Sequence, residues 1–167
     1  MYILRCTQRL LRRMPHGEHA DNEEPATTTT LGDWYANPLN VGRLRLVLCI
    51  SERSLLPVLV PARDLAALAI RLQDAVRRLL LRLGVDATRV QQELREMAWH
   101  RVGATRSRQL LGSLNDLGFL ADAYIRAGGA DMDLDNVALE VARASCRPIQ
   151  YQSPDRRTQA LFSGANQ

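Results

Sequence analysis

The stretch Thr105-Arg106-Ser107-Arg108-Gln109-Leu110-Leu111-Gly112-Ser113-Leu114-Asn115-Asp116 sets two guanidiniums, hydroxyls, a glycine and an Asn-Asp pair into an otherwise apolar segment. A guanidinium is a planar fork that holds a carboxylate or phosphate through two parallel hydrogen bonds, so the chemistry on offer is anion binding. On a helix starting near Ser107, Arg108, Gly112, Asn115 and Phe119 share one face, while Leu110, Leu114, Leu117, Ala121 and Tyr124 form the buried one. A glycine inside a helix costs about 0.5–1 kcal/mol relative to alanine, so Gly112 suggests close approach of a backbone, a helix or a ligand. One reading is a polar groove in which Arg108, flanked by Arg106, binds an anion that Ser113, Asn115 and Asp116 orient. The other is structural: Gly112 and Gly118 let the helix cross a strand closely, and the polar side chains satisfy buried loop backbone.

The remaining reactive residues form weaker patterns. Asp33 and Asn37 flank Trp34 and Tyr35, which either stack on a nucleic-acid base or lie in the core with their polar tips at its rim. Cys6, Cys49 and Cys146 are odd in number and widely spaced, as expected of free buried thiols. His16 and His19 have no metal-site partners in sequence. Asp131, Asp133 and Asp135 lack the glycine and glutamate of a calcium loop and read as helix caps. No metal ligand set and no cofactor motif is expected. All 22 cationic residues are arginine, and the net charge is +4. Mild positive charge with interspersed acids supplies little sequence-independent attraction for nucleic acid, and a GC-rich coding sequence explains such a bias as well as function does.

These residues need positioning elements. Tyr2–Cys6 reads as a strand and Gln8–Met14 as a short helix capped by Thr7. A strand is expected over Leu31–Asn37, broken by Pro38. The clearest alternation is Arg43–Ile50, followed by a hairpin through Ser51–Ser54 and a return strand Leu55–Val60. Pro57 cannot donate to a ladder, so that return strand is expected either at a sheet edge or with a bulge. Beyond Pro61 the period becomes helical, with helices expected at about 62–83, 86–100, 107–125, 133–145 and from Pro154. The expected fold is α+β: a small antiparallel sheet of three to four N-terminal strands, covered on one face by four to five helices. The domain spans 1–162, with a flexible, dispensable insertion at about 15–30, which offers almost nothing to bury, and a frayed tail at 163–167. No apolar run is long enough to span a bilayer and the start lacks a signal peptide's order, so a cytoplasmic protein with no membrane partner is expected.

Taken together, these segments resemble a family of small bacterial proteins catalogued as domain of unknown function 6933. The resemblance rests on Met1-Tyr2-Ile3-Leu4-Arg5-Cys6-Thr7 with Leu10-Leu11, on Leu31-Gly32-Asp33-Trp34-Tyr35-Ala36-Asn37, and on the hairpin Leu46-Val47-Leu48 to Leu55-Leu56-Pro57-Val58-Leu59-Val60-Pro61. It continues through Arg108 with Leu111-Gly112-Ser113-Leu114-Asn115-Asp116, and through Pro148-Ile149-Gln150-Tyr151 with Ser153-Pro154-Asp155-Arg156. The chain departs from the pattern at Gln109, where a small hydroxyl residue is expected, and at Leu117, where phenylalanine is expected. The resemblance implies no activity. Separately, Arg95-Glu96-Met97-Ala98-Trp99-His100 is similar to the Arg-x4-His motif of HEPN ribonucleases, in which arginine and histidine act on a phosphodiester.

The function expected from sequence is therefore a non-enzymatic binding domain for a protein or nucleic-acid partner. Its site draws on Arg106, Arg108, Ser113, Asn115, Asp116, Asp33 and Trp34, and homo-oligomers are expected through a sheet edge. The rival is a nucleic-acid-directed, toxin-like nuclease using Arg95, His100, Arg106 and Arg108 near phosphate, with Asp116 or Asp33 as the carboxylate. A single cleft holding Asp33, His100, Arg108 and Asp116 favours the rival.

Overall fold

Strict alternation in β1 (Tyr2–Cys6) sends Tyr2, Leu4 and Cys6 to one side and Ile3 and Arg5 to the other. All five are buried, which requires packing on both faces of the sheet they join. The computed structural model describes residues 1–15, 24–129 and 131–164. Its sheet contains β1, β2 (Trp34–Val41), β3 (Leu44–Ser51), β4 (Pro57–Pro61) and β5 (His100–Ala104), in the order β4-β3-β2-β1-β5. β2, β3 and β4 form an antiparallel meander, whereas β1 runs parallel to both β2 and β5.

The expected small antiparallel sheet is thus corrected to a mixed sheet of five strands. A long connection separates β1 from β2, so nothing forces a hairpin between them and a parallel pairing is accessible. β5 is hidden in the sequence because Val90, Leu94 and Met97 carry a helical period almost to His100 and mask the change of conformation. β2 also continues through Pro38. β1 pairs with β2 only as far as Ala36, so a residue without an N–H interrupts no ladder on that side.

Six helices pack around the sheet: α1 (Gln8–Leu11), α2 (Leu68–Arg82), α3 (Ala87–Met97), α4 (Arg108–Gly128), α5 (Leu134–Val141) and α6 (Pro154–Ser163). Their starts follow from local chemistry. The Asp86 side chain accepts from the Thr88 and Arg89 N–H groups, Ser107 Oγ from the Leu110 N–H at 3.2 Å, and Asp133 from the Asp135 N–H at 2.9 Å. Pro154 opens α6 with a preset helical φ.

The helices lie on both faces, not one. Leu68, Leu72, Val76 and Leu79 of α2, Val90 and Met97 of α3 and Phe162 of α6 pack with Tyr2, Leu4, Trp34, Val47 and Val58. On the other face Leu110, Leu114, Leu117, Ala121 and Ile125 of α4 and Val137 and Val141 of α5 pack with Tyr35, Leu46, Leu48, Ile50 and Leu59. β4 is an edge strand, one of the two placements that Pro57 allows. Pro57–Val60 are nevertheless buried, with α5 and α2 packed against that strand.

Residues 24–30 correct the idea of a connection with nothing to bury; residues 16–23 and 165–167 of the expected insertion and tail lie outside the described residues. Thr29 is fully buried and its hydroxyl donates to the Gly32 carbonyl at 2.8 Å. The Thr30 and Leu31 N–H groups donate to the buried Glu93 carboxylate of α3 at 2.7 and 3.0 Å. The segment packs by polar satisfaction, not by an apolar face, and hydrophobic patterning is blind to that. Glu93→Ala is expected to lower stability by about 2–3 kcal/mol in urea titrations, because it strands two N–H groups, and Glu93→Gln by less, because one acceptor survives.

Candidate functional site

The residues expected to form one site are distributed over several places. Trp34 is 0% exposed and Tyr35 nearly so, which leaves neither ring a free face for a base. Asp33 is buried beneath them, and Arg106, Arg108, Ser113, Asn115 and Asp116 diverge around α4.

Asp33 belongs to a charged cluster at the head of that helix. Its Oδ1 accepts from the Ile3 N–H at 3.0 Å and from the Thr27 hydroxyl, and its Oδ2 accepts from Arg5 Nε at 2.8 Å. The Arg5 guanidinium, on a residue only 5% exposed, donates from its other edge to Glu24 Oε2 at 2.7 Å and Oε1 at 3.3 Å. Arg106 closes on the same carboxylate, with Nη2 2.6 Å from Glu24 Oε1. The Arg5 hydrogen bond holds the Glu24 carboxyl below its ordinary 4.5, against the opposing effect of burial. Arg5 and Glu24 were missed in the sequence. The signal was a charged residue inside an otherwise apolar strand, Tyr2-Ile3-Leu4-Arg5-Cys6, which must have a buried partner. Because the folded state depresses the Glu24 pKa, its stabilising contribution is complete above 4.5 and is lost as pH falls through the lower folded value. Wild type should therefore exceed Glu24→Gln in stability by a constant margin near neutrality, and the margin should vanish on acidification in melts run as a function of pH.

The polar residues of α4 divide between two grooves, one on each side of the helix. On one side Asn115, Gly118, Phe119 and Asp122 meet Arg9, Asn37, Pro38, Leu39, Asn40 and Leu48 around a cavity of about 280 Å³. On the other, Gly112, Ser113, Asp116, Leu117 and Leu120 face Cys146, Arg147, Pro148 and Tyr151 around one of about 540 Å³. A side chain at Gly112 would meet nothing within 4 Å, so the expected close approach of a second element is absent and the missing Cβ instead leaves the groove open. Gly118 does lie against the sheet, with its absent Cβ 3.7 Å from Leu48 Cδ2. Arg108, Asn115 and Asp116 are exposed, and Arg108 has no hydrogen bond or ion pair among the described residues. Arg108→Ala and Asn115→Ala are thus expected to leave stability within about 0.5 kcal/mol of wild type in thermal melts.

The wall opposite Gly112 is conformationally costly. Gln150 and Tyr151 both adopt left-handed backbone, at φ +56° and +60°, and are the only adjacent non-glycine pair to do so among the described residues. Each departure costs on the order of 1–2 kcal/mol. Hydrogen bonds lock the turn: the Tyr151 N–H donates to the Cys146 carbonyl at 2.9 Å, the Cys146 N–H to the Gln152 carbonyl at 3.0 Å, and the Ser145 hydroxyl to the Tyr151 carbonyl at 2.7 Å. The result is a rigid backbone that leaves Tyr151 68% exposed. Cys146 sits in the groove wall, where burial first and the Asp116 charge second push its thiol up. Burial likewise raises the Cys6 thiol to about 12, so these thiols stay protonated at neutral pH.

The residues of the nuclease reading do not converge. α3 ends at Met97 and His100 lies on β5, so Arg95 and His100 stand on different elements. The His100 ring stacks on Tyr2 with centroids 5.7 Å apart, and burial lowers its pKa. Asp33 is engaged by Arg5, Arg108 stands at the start of α4, and Asp116 faces Cys146; no hydrogen bond or common groove joins the four among the described residues. Nor do the described residues contain a group of three or more His, Cys, Asp or Glu able to hold a metal, or a helix long and apolar enough to cross a membrane.

No curated protein and no solved structure matches the chain. The two segments that form the walls of the larger groove, Leu111–Asp116 and Pro148–Tyr151, are among those that carried the resemblance seen in the sequence. The match extends across residues 3–157, and the chain belongs to the family described as "Domain of unknown function (DUF6933)".

Proposed function

We propose that this is a non-enzymatic interaction domain that grips a segment of a protein partner in the groove between α4 and the Cys146–Tyr151 turn. The observation that carries this reading is the strained Gln150-Tyr151 pair, which holds an exposed aromatic ring on a rigid turn across from an open glycine. Strain of that kind persists where the surrounding structure over-determines it, and it collects at ligand clamps. A tyrosine presented on a fixed backbone gives contact area with little ordering entropy left to lose, which is why Tyr recurs among interface hot spots. Leu117, Leu120 and Pro148 supply an apolar floor, and Asp116 and Arg147 a charge of each sign at its rim. We place the domain in a bacterial cytoplasm, a setting in which three free, buried thiols remain reduced.

Stability and binding should respond in opposite senses at Gly112. Gly112→Ala meets no neighbour and should stabilise the fold by about 0.5–1 kcal/mol, while Gly112→Leu should fill the groove. Tyr151→Gly removes both ring and strain and should leave stability within about 1 kcal/mol of wild type. The test is quantitative affinity capture with wild type, Gly112→Leu and Tyr151→Gly, followed by calorimetric titration of the purified partner. Loss of the same partner in both variants, with melts unimpaired, is the expected result. Equal capture by all three proteins would overturn the proposal.

A further inference from the structure

We infer a second binding site, in the smaller groove on the opposite side of α4, for single-stranded nucleic acid. Three independent features meet there. The first is an aromatic platform: Phe119 is 78% exposed at the groove wall, and a free ring of this kind is what an unstacked base uses.

The second feature is a set of amides over an apolar floor of Leu39, Leu48 and Leu114. Asn37 Oδ1 accepts from the Thr7 hydroxyl at 2.7 Å, which leaves the Asn37 NH2 as a donor of fixed orientation. The Asn40 and Asn115 side chains make no hydrogen bond among the described residues. An amide offers a donor and an acceptor side by side, the complement of a base edge and of adenine in particular.

The third feature is charge. Arg9 lines the groove, Arg12 and Arg13 follow within a turn of chain, Arg45 is paired in register with Asn40, and Arg43 stands at the tip of the same hairpin. None of these five arginines has an ion-pair partner among the described residues, and Asp122, the carboxylate of the groove, is held by Arg126 at 2.6 Å. Arg9 thus stands unpaired in the wall of a base-sized groove, with further unpaired arginines close in sequence and at the adjoining hairpin, the juxtaposition that a strand of alternating bases and phosphates requires.

The experiment is fluorescence anisotropy with a labelled adenine-rich RNA, and the matching DNA strand, of about ten nucleotides, at about 50 and about 200 mM salt. Wild type is expected to bind both strands with affinity that falls as salt rises. Phe119→Ala should weaken binding about tenfold with the salt slope unchanged. Arg9→Ala should weaken it and reduce the slope of log K against log salt by about 0.7. Arg156→Ala, a charge-matched change on α6, should do neither; all three positions are exposed, so melts should coincide with wild type. The inference is overturned by absence of binding at the lower salt, by indifference to Phe119→Ala, or by Arg156→Ala matching Arg9→Ala. Equal affinity for a blunt duplex or for adenosine monophosphate would also overturn it, in favour of backbone-only attraction or a free nucleotide respectively.

Discussion

The buried ion pair between Arg5 and Asp33 is the constraint on which the rest of the structure depends. A guanidinium in a strand that is covered on both faces cannot remain without a partner, since the desolvation of an uncompensated charge exceeds what neighbouring apolar contacts return. Asp33 meets that demand from the residue preceding β2, and its second oxygen binds the Ile3 N–H. One carboxylate thereby sets how β1 lies beside β2. Gly32 lies at φ +80°, and a Cβ there would push aside the Glu52 side chain, so the chain reaches Asp33 by a turn that other residues enter only with strain.

The other edge of Arg5 organises the segment from Glu24 to Thr30. Glu24 bridges Arg5 and Arg106, Thr27 adds to Asp33, and Glu93 receives the next two free N–H groups from α3. A stretch with no apolar face is thus fastened to the sheet and to two helices through carboxylates. Its ion pair with Arg106 also anchors the chain where α4 begins, since Ser107 caps that helix in the following position.

Once its start and its buried stripe are set, α4 acts as a ridge with a groove on each side. Asn115 and Asp116 fall into different grooves because a rotation of about 100° per residue separates them. That geometry places the two candidate grooves on opposite sides of one helix. Both grooves depend on loops and hairpins that reach α4 from distant parts of the chain, Cys146–Tyr151 on one side and Asn37–Asn40 on the other.

The sequence by itself determined the elements whose cause is local. The strand alternation of Leu44–Ser51, the edge-or-bulge restriction imposed by Pro57, the start of a helix near Ser107, and the buried stripe from Leu110 to Ala121 follow from the period and chemistry of neighbouring residues. Membership of the family was legible in the same way, through ordered segments. Tertiary structure alone decided the parallel placement of β1, the existence of β5, the second helical face and the packing of residues 24–30. It also placed Asp33 away from both Asn115 and Asp116. Each of these depends on contacts between residues far apart in the chain, and polar ones above all: Arg5 with Glu24, Thr30 with Glu93. Hydrophobic periodicity reports which side of an element is buried, but it does not report which distant polar group completes the burial, and here the candidate sites were built from such groups.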